Sequence, residues 1–191
     1  MKSDMNLMQT PDELRDIHGR QDYYWYLRSP QFRTALSEPI ANLIVERGCK
    51  SVLDVGCGEG VLRDCLPESV AYLGIDGSQA AVDKAVTLGR PVILGRIEEP
   101  ETNCAGLFDC LVFSGILEVL VKPERRSNLI GNYILARKPK LLVICDLVRL
   151  DTSSLETMLG KPLELWSVDI DLAGIPQVKN HRKVIAWEVP Q

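Results

Sequence analysis

The residues best suited to binding chemistry lie in one short stretch, Asp54-Val55-Gly56-Cys57-Gly58-Glu59-Gly60. Glycines there let backbone amides approach a ligand closely and tolerate positive φ angles. Two common nucleotide-binding motifs do not fit this spacing. The dinucleotide fingerprint G-x-G-x-x-G would need a third glycine where the chain has Val61, and a phosphate-binding P-loop would need a lysine after its last glycine. What remains is a D-x-G-x-G-x-G turn with an acid two residues before its first glycine.

Two further candidates follow apolar stretches downstream. Asp76 lies 16 residues beyond Gly60, which leaves room for one helix and one strand, and Ser114-Gly115 follows the apolar run at 108–113. Strands alternating with helices indicate a doubly wound sheet, whose ligands bind at the carboxyl ends of its strands. We therefore expect these residues to meet at one edge of a sheet.

These motifs resemble those of the class I S-adenosylmethionine-dependent methyltransferases. The stretch 54–60 is similar to that family's first motif, Gly74–Ser78 to its second-strand acid, and 108–118 to its fourth motif. The resemblance covers roughly residues 40–191. It implies an α/β, Rossmann-like fold with a mostly parallel seven-stranded sheet, an antiparallel C-terminal strand and N-terminal lid helices. It also implies S-adenosylmethionine as the cofactor and requires no metal.

The resemblance assigns roles to the matching residues. Asp54 would orient the ammonium end of the cofactor, and Asp76 would accept hydrogen bonds from both ribose hydroxyls. The implied cofactor-binding residues are Asp54, Gly56, Cys57, Gly58, Gly60, Asp76, Gly77, Arg96, Ile97, Ser114 and Gly115.

The sequence departs from the family pattern in places that concern chemistry. Arg96 stands where many members carry an acid that meets the adenine amino group, and Glu118-Val119 lacks the histidine base of many O-methyltransferases. The two prolines and the aromatic residue of adenine-amino methylating enzymes are absent after Ser114. The catalytic residues therefore stay unassigned, and O-, N- and C-methylation remain open.

Apolar periodicity and turn residues predict the elements that position these side chains. The predicted strands are Ser51–Val55, Ala71–Ile75, Val92–Leu94, Phe108–Phe113, Leu141–Cys145, Leu165–Ile170 and Lys183–Val189, with the last two paired as an antiparallel hairpin. Helices are predicted from Thr10 to Gly19, from Ser29-Pro30 with a restart at Pro39, from the glycine turn to Pro67, from Ser78 to Leu88, over Pro123–Arg137 and near Ser154–Leu159.

Aromatic residues concentrate before the first motif, at Tyr23-Tyr24-Trp25-Tyr26. We predict a helical lid over residues 1–40 and a methyltransferase domain over 41–191. Trp25 and Arg28 are the candidate substrate contacts in the lid. Ordinary packing of this segment on the sheet explains the aromatic residues equally well.

Composition limits the partners. The chain has 191 residues, 46% of them apolar, and a net charge of −4, which predicts one domain without a broad nucleic-acid face. No apolar run approaches the ~18 residues of a membrane span, and no signal peptide is evident, so a cytoplasmic protein is expected. The six cysteines form no CxxC pair and there are only two histidines, which argues against a metal site.

The sequence thus favours methyl transfer to a small-molecule acceptor by in-line displacement, in a monomer or homodimer that binds neither nucleic acid nor membrane. The alternative is a non-catalytic protein that binds S-adenosylmethionine, or a partner protein, with the same fold. An NAD-dependent oxidoreductase is a third possibility, which Val61 argues against.

Overall fold

The computed structural model describes residues 29–98, 106–117, 121–147, 151–170 and 180–190. Seven strands form one sheet: β1 (Ser51–Val55), β2 (Ala71–Asp76), β3 (Val92–Leu94), β4 (Cys110–Ser114), β5 (Leu141–Leu147), β6 (Glu164–Ile170) and β7 (Asn180–Glu188). The α-helices are α1 (Pro30–Phe32), α2 (Glu38–Glu46), α3 (Gln79–Thr87), α4 (Pro123–Arg137) and α5 (Ser153–Leu159). A π-helical turn, Arg33–Ser37, joins α1 to α2, and a 3₁₀ helix covers Val61–Cys65.

The sheet has the order β3-β2-β1-β4-β5-β7-β6. The pairs from β3 to β5 are parallel, whereas β7 runs antiparallel to both β5 and β6. This confirms the predicted seven-stranded sheet and its antiparallel C-terminal strand. The classical dinucleotide-binding order has six parallel strands, so the topology disfavours the oxidoreductase alternative. The connections reverse direction between β1 and β4, where ligands of such sheets bind.

Helices cover both faces of the sheet. On one face, Ile40 and Ile44 of α2 pack with Val52 of β1 and Val112 of β4. On the other face, Ile130 and Tyr133 of α4 pack with the alternate strand residues, among them Leu53 and Phe113. Because both faces are covered, the central strands are apolar along nearly their whole length, as parallel strands usually are. The face that carries α2 and α3 is called face A below.

Helix starts follow the predicted capping residues. The Ser29 hydroxyl accepts a hydrogen bond from the Phe32 N–H at 3.2 Å, and the Ser78 hydroxyl accepts one from the Ala81 N–H at 3.3 Å. Pro39 lies in the first turn of α2, directly after the π-helical turn, where the sequence predicts a restart. The helix predicted from Thr10 lies outside the described residues. Within the described part of the chain, no helix is long and apolar enough to cross a membrane.

Some predicted boundaries are displaced for local reasons. β4 begins at Cys110 rather than Phe108, because Asp109 caps the neighbouring strand: its Oδ2 accepts from the Lys50 N–H at 2.7 Å and its own N–H donates to the Ser51 hydroxyl at 2.9 Å. The helix predicted between the glycine turn and Pro67 is a single 3₁₀ segment. Gly60 enters it in the left-handed conformation and Leu66 leaves it extended.

Candidate functional site

The glycine turn folds back over the end of β2. The N–H groups of Gly56 and Cys57 both donate to the carbonyl oxygen of Ile75, at 2.8 and 3.1 Å. Gly56 has a φ of +72°, and a Cβ at this position would overlap the Ile116 side chain. The turn therefore requires glycine at its first position for both conformation and space.

Asp76 joins the turn to the end of β2. Its Oδ2 accepts from the Gly58 N–H at 2.7 Å and its Oδ1 from the Ser78 N–H at 2.8 Å. Burial raises the pKa of Asp76, and these two N–H donors oppose that shift. Because a carboxylate offers about four acceptor positions, each oxygen can still accept from a ligand hydroxyl.

Asp54 is buried on face A, one strand away from Asp76. Its Oδ2 accepts from the Tyr72 hydroxyl at 2.9 Å. Among the described residues, its Oδ1 is buried with no hydrogen-bond partner. Burial raises the pKa of Asp54 to about 7; the nearby charge of Asp76 adds to this shift, whereas the Tyr72 hydrogen bond opposes it. A buried carboxylate oxygen of this kind fits a cationic ligand group, which would supply the missing donor.

Sequence reasoning did not identify Tyr72. The side chain reaches Asp54 across Gly74, which is paired with Asp54 in the β1–β2 register. A Cβ at Gly74 would lie 2.5 Å from the Cys57 sulfur and 3.0 Å from the Tyr72 hydroxyl oxygen. The sequence does contain a signal for this contact. Tyr72 and Gly74 lie on the same face of β2, and Asp54 lies opposite Gly74 on the neighbouring apolar strand β1.

Replacing Gly74 with alanine is therefore expected to lower the free energy of unfolding by about 1–3 kcal/mol, because the methyl group overfills the space between Cys57 and Tyr72. Chemical denaturation measures this change. A Cys57→Ala substitution in the same chain is expected to recover part of the loss. Gly131→Ala is the matched control, because the nearest atom to its Cβ would be the Met158 sulfur at an ordinary contact distance of 3.8 Å. Since Gly131 lies in the middle of α4, alanine is expected to raise the free energy of unfolding there by ~0.5–1 kcal/mol. Equal stability of Gly74→Ala and the wild type would contradict this description.

A second contact, at the surface of the protein, also holds the glycine turn. The Arg90 guanidinium donates to both carboxylate oxygens of Asp64, at 3.0 and 2.6 Å, and to the carbonyl oxygen of Glu59 at 2.9 Å. This contact, which no sequence motif indicates, ties the glycine turn to the 3₁₀ helix and to the loop before β3.

The end of β4 forms the other side of the crevice. Gly115 has a φ of +72° and donates its N–H to the carbonyl oxygen of Cys145 at 2.7 Å. A Cβ at Gly115 would lie 3.2 Å from Nη1 of Arg182, a buried side chain on β7. Arg182 is a third residue, after Tyr72 and Arg90, that sequence reasoning did not assign to the site.

The remaining predicted residues differ in where they lie: some are at least half-buried, one is exposed, and others lie outside the described residues. Ile97 is buried in the same cluster as Ile75, and Gly77 is half-buried directly after Asp76. Arg96 is exposed and pairs with Glu98 at 3.4 Å. Trp25, Arg28 and most of the predicted lid lie outside the described residues, so their substrate contacts stay predictions.

The described residues thus bring two buried carboxylates to the carboxyl ends of adjacent strands, beside a glycine-lined turn. This set of hydrogen-bond acceptors suits a ligand with cationic and hydroxyl groups better than a phosphate. The described part of the chain gathers no group of three histidine, cysteine or acidic side chains that could hold a metal ion.

Comparison with protein families gives one match. The family model described as "Methionine biosynthesis protein MetW" matches residues 35–133, just over half of the chain, from the π-helical turn before α2 into α4. No curated protein matches the chain.

Solved structures with the same fold are distant in sequence. The N-methyltransferase NodS from Bradyrhizobium japonicum, solved with S-adenosyl-L-homocysteine, is 16% identical with a TM-score of 0.74, covering 96% of this chain and 100% of its own. The magnesium protoporphyrin IX methyltransferase of Synechocystis, solved with S-adenosylmethionine, is 15% identical with a TM-score of 0.64, covering 94% and 90%. A putative RNA methyltransferase from Pyrococcus horikoshii is 14% identical with a TM-score of 0.64, covering 96% and 100%. These likenesses show that the chain has the class I methyltransferase fold.

Proposed function

The chain belongs to the MetW family, and we propose that it binds S-adenosylmethionine and transfers the methyl group of this cofactor to a small-molecule acceptor. NodS was solved with S-adenosyl-L-homocysteine and the Synechocystis enzyme with S-adenosylmethionine, which supports the proposal at the level of the fold. The net charge of −4 favours a small acceptor over a nucleic acid.

The observation that carries the proposal is the pair of buried carboxylates, Asp54 and Asp76, on either side of the glycine turn. Asp76 has acceptor positions left for the two ribose hydroxyls. The buried Oδ1 of Asp54 would accept from the cofactor's ammonium group, directly or through one water. A phosphate-bearing ligand would meet repulsion from both carboxylates, whereas this cofactor carries no phosphate.

When bound, S-adenosylmethionine supplies a methyl group that is already activated on a sulfonium. The chain then has to hold the reactants in line and keep water out, and such positioning contributes up to ~7–11 kcal/mol in favourable cases. A general base typically adds only ~10²–10⁴-fold. We therefore assign positioning roles to the glycine turn and to Ser114-Gly115 and assign no catalytic base.

A second function is favoured by the description of the family as one of methionine biosynthesis. A protein of methionine biosynthesis that binds a methionine-derived cofactor could report the level of the end product to a partner enzyme, without performing methyl transfer. The absence of histidine after Glu118 also agrees with this candidate.

Calorimetry with S-adenosylmethionine and S-adenosylhomocysteine, followed by an acceptor screen with methyl-labelled cofactor, separates the candidates. The primary proposal expects micromolar binding and label transfer to one class of small molecule. Tight binding without transfer to metabolites, proteins or RNA would favour the sensor. Failure of the purified chain to bind either cofactor form would refute both.

A further inference from the structure

Arg182 holds a buried positive charge at the carboxyl edge of the sheet. It lies on β7 opposite Leu147 of β5 and Val168 of β6, and only 9% of its surface is exposed. By strand alternation it shares face A with Val184 and Ala186. It is therefore on the same face of the sheet as Asp54.

Gly115 admits the guanidinium to this position. A Cβ there would lie 3.2 Å from Nη1 of Arg182, which is a tight contact, and at ordinary van der Waals distance from Nη2 and Cζ, at 3.8 and 3.9 Å. Gly115 directly follows β4, the neighbour of β1. Three groups therefore lie in order along this edge of the sheet: the buried acid Asp54 on β1, Gly115 after β4, and the buried cation Arg182 on β7.

Two described groups near Arg182, Cys145 and Asp146, contribute to its electrostatic surroundings. Burial raises the pKa of the Cys145 thiol to about 12, and the positive charge of Arg182 opposes that shift. Asp146 alternates onto the other face, where its Oδ2 accepts from the Leu117 N–H at 2.8 Å. A guanidinium stays protonated and presents a planar fork of donors that matches a carboxylate.

We propose that Arg182 binds a ligand carboxylate above Gly115, in the crevice where methyl transfer takes place. This inference rests on the proposed function and extends it by naming the chemical group recognised there. Two sources supply a carboxylate: the amino-acid end of the cofactor, and a carboxylic-acid acceptor. Asp54 and Asp76 would then bind the ammonium and ribose groups of the cofactor, and Arg182 would bind the ligand carboxylate.

The first arm of the test addresses the cofactor. Calorimetry would compare S-adenosylhomocysteine with 5′-methylthioadenosine, which lacks the amino-acid end, for the wild type, Arg182→Gln and Arg182→Lys. If the carboxylate is the cofactor's, Arg182→Gln loses at least about tenfold in affinity for S-adenosylhomocysteine and none for methylthioadenosine, as expected for a lost charge-assisted pair. Lys183→Gln, which removes the same charge from the next residue, is the control and should bind both as the wild type does.

The second arm addresses the acceptor. Benzoate and butyrate, with benzamide and butyramide as neutral partners, would be titrated by NMR into the protein saturated with S-adenosylhomocysteine. If the carboxylate is the acceptor's, the wild type binds the acids in preference to the amides, and Arg182→Gln loses that preference while keeping its cofactor affinity. Arg182→Lys keeps the charge without the fork of donors, so its preference for acids should lie between those of the wild type and Arg182→Gln. It replaces the glutamine variant if that variant does not fold.

One result overturns the inference: a folded Arg182→Gln variant that keeps wild-type affinity for S-adenosylhomocysteine, together with a wild-type complex that does not prefer acids over amides. Loss of affinity for methylthioadenosine as well would also overturn it, because that pattern indicates a general structural role. Failure of the wild type to bind S-adenosylhomocysteine at all is a different outcome, which refutes the proposed function itself.

Discussion

Replacing Asp76 with asparagine is expected to reduce the affinity for S-adenosylhomocysteine by at least about 100-fold, which corresponds to the loss of two charge-assisted hydrogen bonds of ~1.5–3 kcal/mol each. The carboxylate already orders the turn through the Gly58 and Ser78 N–H groups. Its other acceptor positions are the ones proposed for the ribose hydroxyls. Asparagine keeps the shape but offers only one acceptor oxygen, so it cannot serve the turn and the ribose together.

A deoxy ligand separates ribose recognition from a distorted turn. In the wild type, the 2′-deoxy analogue of S-adenosylhomocysteine should bind at least about tenfold more weakly than the parent compound, because a buried acceptor is left unpaired. In Asp76→Asn the two ligands should bind almost equally. A purely structural effect would instead weaken both ligands in the variant by the same factor and preserve their ratio.

Asp83→Asn is the matched control for this prediction. Asp83 is an exposed acid on α3 whose carboxylate accepts from the Gln79 side chain at 2.7 Å. It carries the same charge and lies outside the glycine turn. Thermal melting of each variant verifies that it folds. A folded Asp76→Asn protein with wild-type affinity would remove the central observation behind the proposed function.

The sequence predicted the fold well because the relevant signals are local. β1 and β3 have the predicted bounds, since each is an apolar run closed by glycine, proline or polar residues. The Ser29 and Ser78 caps act within three residues of the helices that they begin. The error at β4 arose because Asp109 uses its side chain and N–H to cap the neighbouring strand, which depends on a residue 58 or 59 positions away.

The candidate site was predicted only in part, for the same physical reason. The glycines and the two acids carry motif signals within one turn or one strand. Tyr72, Arg90 and Arg182 do not, because their contacts join different elements: 18 residues separate Tyr72 from Asp54, and 26 separate Arg90 from Asp64. Arg182 reaches Gly115 only because β7 inserts antiparallel beside β5.

Replacing Asp54 with asparagine is expected to stabilise the protein without ligand and to weaken cofactor binding. Burial raises the pKa of Asp54 from its ordinary value of 3.8 to about 7. Between these two pH values the unfolded chain loses a proton that the folded chain retains, so the free energy of unfolding falls as the pH rises. The full cost, present above pH 7, is on the order of a few kcal/mol, since each tenfold change in a protonation equilibrium corresponds to about 1.4 kcal/mol.

Asparagine removes this cost and can still accept from the Tyr72 hydroxyl. We therefore expect Asp54→Asn to be more stable than the wild type by a few kcal/mol at about pH 8, with the difference shrinking towards zero near pH 4. Urea denaturation across this range measures both limits. Tyr72→Phe is the contrasting variant: it removes the hydrogen bond to Oδ2 of Asp54 and should lower stability at neutral pH by ~1–3 kcal/mol.

Ligand affinity should depend on pH in the opposite sense. An ammonium group placed near Oδ1 favours the ionised carboxylate, so wild-type affinity for S-adenosylhomocysteine should rise by up to about tenfold per pH unit towards pH 7 and level off above it. Binding below pH 7 should release a proton, detectable by calorimetry in buffers of different ionisation enthalpy. The ligand's own groups titrate outside this range, so this pH dependence of the affinity belongs to the protein. Asp54→Asn should bind S-adenosylhomocysteine weakly at every pH. A flat wild-type profile would mean that the ammonium lies elsewhere, whereas the combination of gained stability and lost affinity would show that the buried charge is retained for the ligand at the expense of the fold.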